Sequence, residues 1–357
     1  MSDRTHMGGS RNSEAMSLDA LVLGIFFVQT AIAMAALSTS SDLVAEPPQA
    51  LVVSETPEKL PELADPIPEA SPFAALPDVR PFVPERPRDL PSVPADQHIP
   101  SGPSFVTLFG DGSNSDRWHV ATHSNRNHAF FGNDWSKDGA DFSSEGLILD
   151  IDKEGGRWKS GEVKTNVPYG FGRYEVVMKP AKGSGLVSAF FTYTGPYFGD
   201  PHDEIDIEFV GNDTRHVEFN YFKNGRTLNH KVLDLPFDAS EDFHLYAFEW
   251  YPEKIRWFID NELVFETPHG DTNIPRTPGN IYMNMWTGTL SGLKSWHGEP
   301  DFEPGVRSEY ACVSFTAAGE GSRRCSDLFE SPRPHEGQLV NLVAAHPVPA
   351  VDQSQSR

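Results

Sequence analysis

Across residues 105–316 the chain breaks into short runs in which apolar and polar side chains alternate, each run closed by Gly, Pro, Asn or Asp. Alternation at period two sends one face of every run toward a core. With almost no helical periodicity between the runs, the segment is expected to be an all-β sandwich or barrel. Candidate strands include "RYEVVMKP", "GLVSAFFTYTG", "HVEFNYF", "FHLYAFEWY", "KIRWFIDNELVFET" and "NIYMNMWTG". Residues 211–214 and the pair Asp260, Asn261 have the turn chemistry of hairpin connections.

One run, "HDEIDIEFVG", alternates Glu204, Asp206 and Glu208 with Ile205, Ile207 and Phe209. The three acids therefore share one strand face. Like charges at that spacing repel, so a merely solvated acidic face is a poor explanation, although it stays open at this level. On the next run Glu218 and Asn220 fall on the acids' side, while Val217, Phe219 and Tyr221 fall on the core side. In "IYMNMW" the core set is Ile281, Met283 and Met285, which turns Tyr282, Asn284 and Trp286 outward; in "SAFFTY", Phe191 alternates with Phe190 and shares its side with Tyr193. A face that mixes acids, amides and aromatic rings suits a sugar polymer, whose C–H faces pack on rings and whose hydroxyl rim needs polar partners.

Two carboxyl groups suffice to hydrolyse a glycosidic bond. Four residues of strand separate the Glu204 and Glu208 Cα atoms by roughly 13 Å. A retaining pair needs carboxyls about 5 to 5.5 Å apart, so the sheet must be concave for the two side chains to lean together. A Ca²⁺ site formed by the same acids is disfavoured, because side chains spread along one strand diverge around a single ion. No His and Cys cluster has zinc spacing and no phosphate-binding Gly-rich loop follows a strand. His202 is expected to be a strand-end residue.

The formal charge of −22 argues against a nucleic-acid partner, and 38% hydrophobic residues with 24 Phe and 7 Trp allow one sizeable core. Residues 20–37 are 18 mostly apolar positions with small residues at the exit, read as an export segment: a cleaved signal peptide, or a signal anchor that tethers the chain to a membrane. Residues 46–103 hold 15 of the 30 prolines and one glycine, which suits an extended tether or a plain spacer. Cys312 and Cys325 are the only cysteines. A disulfide between them is worth about 3 kcal/mol in an oxidising compartment. The alternative is a buried Cys312 and a free Cys325.

"DEIDIEF", followed by "FNYFKNG", "FHLYAFEWYPEKIRWFIDN" and "IYMNMWTGT", resembles glycoside hydrolase family 16, and within it the bacterial lichenase branch of endo-β-1,3-1,4-glucanases. The resemblance implies a jelly-roll sandwich of two curved antiparallel sheets with a concave substrate groove, and a retaining double displacement. By position, Glu204 matches the nucleophile, Asp206 the assisting carboxylate and Glu208 the acid/base. Asn127, Glu162, Phe191, Tyr193, Asn220, Asn284, Trp286 and Trp296 match sugar contacts. Lys164 stands where lichenases usually carry arginine and Phe222 where they carry tyrosine; Asn133 and Ser160 occupy the positions of the lichenase disulfide. The expected organisation is a signal peptide or anchor at 1–37, a proline-rich linker at 38–104, the catalytic domain at 105–316 and a tail at 317–357. The expected protein is a secreted, extracellular or periplasmic monomer acting on β-glucan, with no required cofactor and a structural Ca²⁺ left open. A glycanase for bacterial exopolysaccharide such as succinoglycan, and a non-catalytic carbohydrate-binding sandwich, are the alternatives.

Overall fold

The computed structural model describes residues 89–330 apart from 112–115, 127, 129, 228, 289–290 and 304. The export segment, most of the linker, the end of the tail and Asn127 lie outside the described residues.

The alternating runs become two sheets. Numbered in chain order, the larger has the path β15 (Glu262–Glu266), β14 (Lys254–Ile259), β13 (His244–Tyr251), β8 (Gly172–Lys179), β17 (Arg307–Ala317), β5 (Gly146–Glu154), β6 (Arg157–Ser160), β3 (Asn133–Trp135), with β1 (Phe105–Leu108) also on β17 and β4 (Ala140–Ser143) on β5. The smaller runs β12 (Lys231–Asp234), β11 (His216–Phe222), β10 (Asp203–Val210), β9 (Leu186–Thr194), β16 (Asn280–Thr287), β7 (Glu162–Thr165), β2 (Trp118–Val120). Among these strands only β3 and β6 pair in parallel. Both hairpin turns occur as the sequence implies. Asp260 and Asn261 take φ of 49° and 69°, the left-handed pair that a two-residue hairpin requires and that Asp and Asn tolerate.

The core lies between the sheets. Ile205, Ile207 and Phe209 from β10, with Val217, Phe219 and Tyr221 from β11, join Tyr174, Phe248, Trp257 and Phe315 from the larger sheet in one cluster. Buried polar groups cross between the sheets, Trp257 and Tyr310 among them. Trp257 donates its indole N–H to the Asp206 carbonyl at 3.2 Å, and the Tyr310 hydroxyl donates to the Ala189 carbonyl at 3.1 Å. Each satisfies a donor that burial would otherwise penalise, and each fastens a strand of the smaller sheet to the larger one.

Residues on both sides of 105–316 pack on this body. Leu90 N–H donates to the Glu320 carbonyl (2.9 Å) and Gly102 N–H to the Pro168 carbonyl (2.9 Å). After β17 the chain folds back: Cys325 is disulfide-bonded to Cys312 with Cα atoms 5.8 Å apart, and Ser326 donates both its N–H and its hydroxyl to the buried Glu175 at 2.9 Å each. Trp296, whose Gly- and Ser-containing surroundings imply a loop, lies instead in a short helix, Ser291–His297. Leu293 and His297, one turn apart, are its buried side, and Gly298 at φ 87° ends it.

Candidate active site

Strand pairing sets the acids in three cross-strand rows on the outer face of the smaller sheet. Glu204 is flanked by Phe222 on β11 and Tyr193 on β9, with Asn280 beyond on β16. Asp206 lies between Asn220 and Phe191, and its row continues through Tyr282 to Lys164. Glu208 lies between Glu218 and Ala189, and its row continues through Asn284 to Glu162. Asp206, Asn220, Tyr282 and Asn284 are all buried although they face away from the core, so this face is the floor of a recess and not a flat surface. Phe191 and Tyr282 are stacked, with ring centroids 5.0 Å apart. Ala189 is the one small side chain in the Glu208 row.

The three carboxyls are chemically distinct. Glu204 is 19% exposed, and the Nε2 of His202 lies 2.5 Å from its Oε2. Burial first, then the charges of Glu204 and Glu208, push the Asp206 carboxyl well above the usual range, and its side chain hydrogen-bonds to Glu204. Held as the acid, Asp206 is the donor in that bond. Burial, followed by the charges of Glu218 and Glu204, pushes Glu208 up to about 8. The neighbour responsible is itself fixed: Glu218 accepts the indole N–H of Trp296 at 2.9 Å and meets His230 Nε2 at 2.6 Å. The site therefore holds one partnered carboxylate and one carboxylic acid on a single strand, with a second carboxylic acid between them.

Of the expected sugar contacts, Glu162, Lys164, Phe191, Tyr193, Asn220, Phe222 and Asn284 all lie on this face. Asn284 donates to Glu162 at 3.1 Å, and burial pushes Glu162 up to about 7 against that bond and the Lys164 charge. The Lys164 ammonium sits 4.7 Å from the Phe198 ring and 5.9 Å from Tyr282. Asn220 accepts the Thr227 hydroxyl. Trp296 stands beside Glu218 and is half-buried. Trp286 differs from expectation: it is on this face, yet only 3% exposed, because Phe130 and Phe131 fold onto it at 4.8 and 5.3 Å and Trp296 flanks it at 5.9 Å. It offers no open ring in this structure.

Sequence reasoning placed His202 at a strand end and missed its contact. The signal was present, since His202 is two residues before Glu204 and period two puts both on one face. His230 and Phe130 approach from loops and Phe198 from the 3-10 turn Pro196–Phe198, and no periodicity points to them. Among the described residues no group of three or more His, Cys, Asp or Glu side chains could hold a metal ion.

A carboxylate and a protonated carboxylic acid on an aromatic-lined, recessed sheet face are the equipment of a glycoside hydrolase. The profile of Glycosyl hydrolases family 16 matches residues 127–311, and the chain belongs to that family. It is 43% identical to a β-glucanase of Acetivibrio thermocellus over 60% of this chain and 63% of that one, so it spans less than two thirds of that relative. It is 42% identical to a β-glucanase of Bacillus subtilis over 63% of this chain and 91% of the relative. The Bacillus licheniformis β-glucanase structure is similar with a TM-score of 0.57 at 40% identity, covering 61% of this chain and 99% of that one. The jelly-roll sandwich expected from the sequence is the fold found.

Proposed function

We propose that the chain is an exported retaining endo-β-glucanase that cleaves β-1,4 bonds next to β-1,3-linked glucose. The observation that carries this is the division of labour along β10: Glu204 engaged by His202, and Glu208 pushed up to about 8 by burial and by Glu218 opposite it. In the first step Glu204 attacks the anomeric carbon while Glu208 gives its proton to the departing glycosidic oxygen; the C–O bond breaks and a glycosyl ester forms. Glu208, now a carboxylate, then takes a proton from water. The water oxygen attacks the same carbon, and Glu204 leaves with the ester electrons. Two inversions give net retention. The similarity to β-glucanases supports the glucan, and the ring-and-amide rows supply its contacts.

The test is to compare barley mixed-linkage glucan, laminarin, xyloglucan and succinoglycan side by side, following the anomeric proton of the first product by NMR. β-Anomer from mixed-linkage glucan is expected. Preferential depolymerisation of succinoglycan would replace the substrate but keep the mechanism. An α-anomeric first product would overturn both steps, and binding without any reducing-sugar release would leave a carbohydrate-binding sandwich.

A further inference from the structure

His202 is not explained by the family assignment, yet its Nε2 lies 2.5 Å from the carboxylate of the proposed nucleophile. Its position is over-determined. The ring stacks on Phe222 at 5.1 Å with planes 19° apart, and Tyr193 meets it edge-on at 5.3 Å. Its backbone carbonyl accepts the Gly225 N–H at 2.8 Å. The next residue, Asp203, accepts three backbone N–H groups, from Asn224 (3.0 Å), Arg276 (2.9 Å) and Thr277 (2.9 Å), which ties the strand end to two loops. An imidazole stacked on Phe222, flanked by Tyr193 and tied through its backbone carbonyl has little freedom except to hold Glu204.

We infer that His202 is a positioning residue for Glu204: it orients the carboxylate for attack and, as an imidazolium, stabilises the charge that returns to Glu204 when the glycosyl ester is hydrolysed. The inference rests on the retaining reading above. No atom is transferred to substrate from His202. When the ester C–O bond breaks, its electron pair goes to Glu204, and the neighbouring cation lowers the energy of that developing carboxylate. The titratable groups around the pair are Asp203 and Asp206 on β10, Tyr193 on β9 and Tyr282 on β16; Phe222 on β11 carries no charge. Burial disfavours a proton on His202, but the hydrogen bond to Glu204 and the charges of Glu204 and Asp203 outweigh it and raise the imidazole above its ordinary value. His202 is thus protonated at low pH, and raising the pH removes the cation.

Ester hydrolysis needs Glu208 unprotonated, so Glu208 alone makes that step faster as pH rises. A fall on the alkaline side must come from a group in contact with the departing carboxylate, His202 or Asp206, and His202→Gln separates the two because it leaves Asp206 in place.

The experiment uses the intact protein and a 2,4-dinitrophenyl β-glucan oligosaccharide, whose leaving group needs no proton, so that ester hydrolysis limits kcat. His202→Phe keeps the stack on Phe222 and removes the donor; His202→Gln keeps a donor that does not titrate. Expected are a roughly 100-fold loss of kcat in His202→Phe with the glycosyl-enzyme visible in intact-mass spectra, and recovery to within about 10-fold in His202→Gln with the alkaline fall of kcat abolished. If His202→Phe does not fold, the pH profile of His202→Gln decides alone. Wild-type kcat in folded His202→Phe, or an alkaline fall that persists in His202→Gln, overturns the inference. No glycosyl-enzyme in any variant together with an α-anomeric product would instead sink the retaining reading on which it rests.

Discussion

Glu208 and Glu218 stand directly opposite one another on adjacent antiparallel strands, and Glu218 is the only one of the two with both carboxylate oxygens engaged by neighbours, Trp296 and His230. Glu218 is thus held in place by two neighbours, while burial and the charge of Glu218 push Glu208 up to about 8.

That asymmetry predicts a pH profile. Glu208, pushed up to about 8, must be protonated to start the reaction, so kcat/KM on polysaccharide should fall as pH rises through about 8. Glu218→Gln removes a like charge from the acid's surroundings and should move that limb down by about one unit. Initial rates across pH 5–10 check this; an unmoved limb would show that burial alone sets it.

The two glutamates should separate by rescue. Glu204→Ala with an activated aryl glycoside and azide is expected to give the α-glycosyl azide, because azide enters from the side the carboxylate vacated. Glu208→Ala should give the β-azide, because azide attacks the ester that still forms. NMR of the two products assigns the roles, and reversed anomers would exchange them.

Trp286 and Trp296 should now behave differently. Trp286 lies beneath Phe130 and Phe131, so Trp286→Ala should cost about 3–5 kcal/mol of stability by urea unfolding. Trp296→Phe keeps a ring but removes the N–H from Glu218, and should shift the alkaline limb of kcat/KM while leaving Tm within a few degrees.

Breaking the Cys312–Cys325 bond should destabilise the protein by about 2–4 kcal/mol, as the constraint that holds Ser326 on the buried Glu175 is lost. Denaturation of Cys325→Ser against wild type without reductant measures it.

The sheet faces were legible because period two is a property of the chain itself: Ile205, Ile207 and Phe209 had to oppose Glu204, Asp206 and Glu208 wherever the strand went. The same rule located Glu218, Asn220, Tyr282 and Asn284. It failed where a loop decides the outcome. Nothing local to Trp286 says that residues 130 and 131 will fold over it, and nothing in "SGLKSWH" announces a helix seven residues long. The partner of Glu218, His230, lies across the loop between β11 and β12, and its placement follows from that loop's path.

β17 is the last in sequence of the described strands, yet it occupies the middle of the larger sheet, paired with β8, β5 and β1. A growing chain would have every other strand of both sheets before it had this one. Until residues 307–317 arrive, β8 and β5 have unpaired edges, and the Tyr310 hydroxyl that fastens Ala189 is missing. Completion of the larger sheet thus waits for β17, whose pairings with β8, β5 and β1 are long-range and slow to form. A truncation before residue 307 would therefore take away the middle of the larger sheet and not one edge.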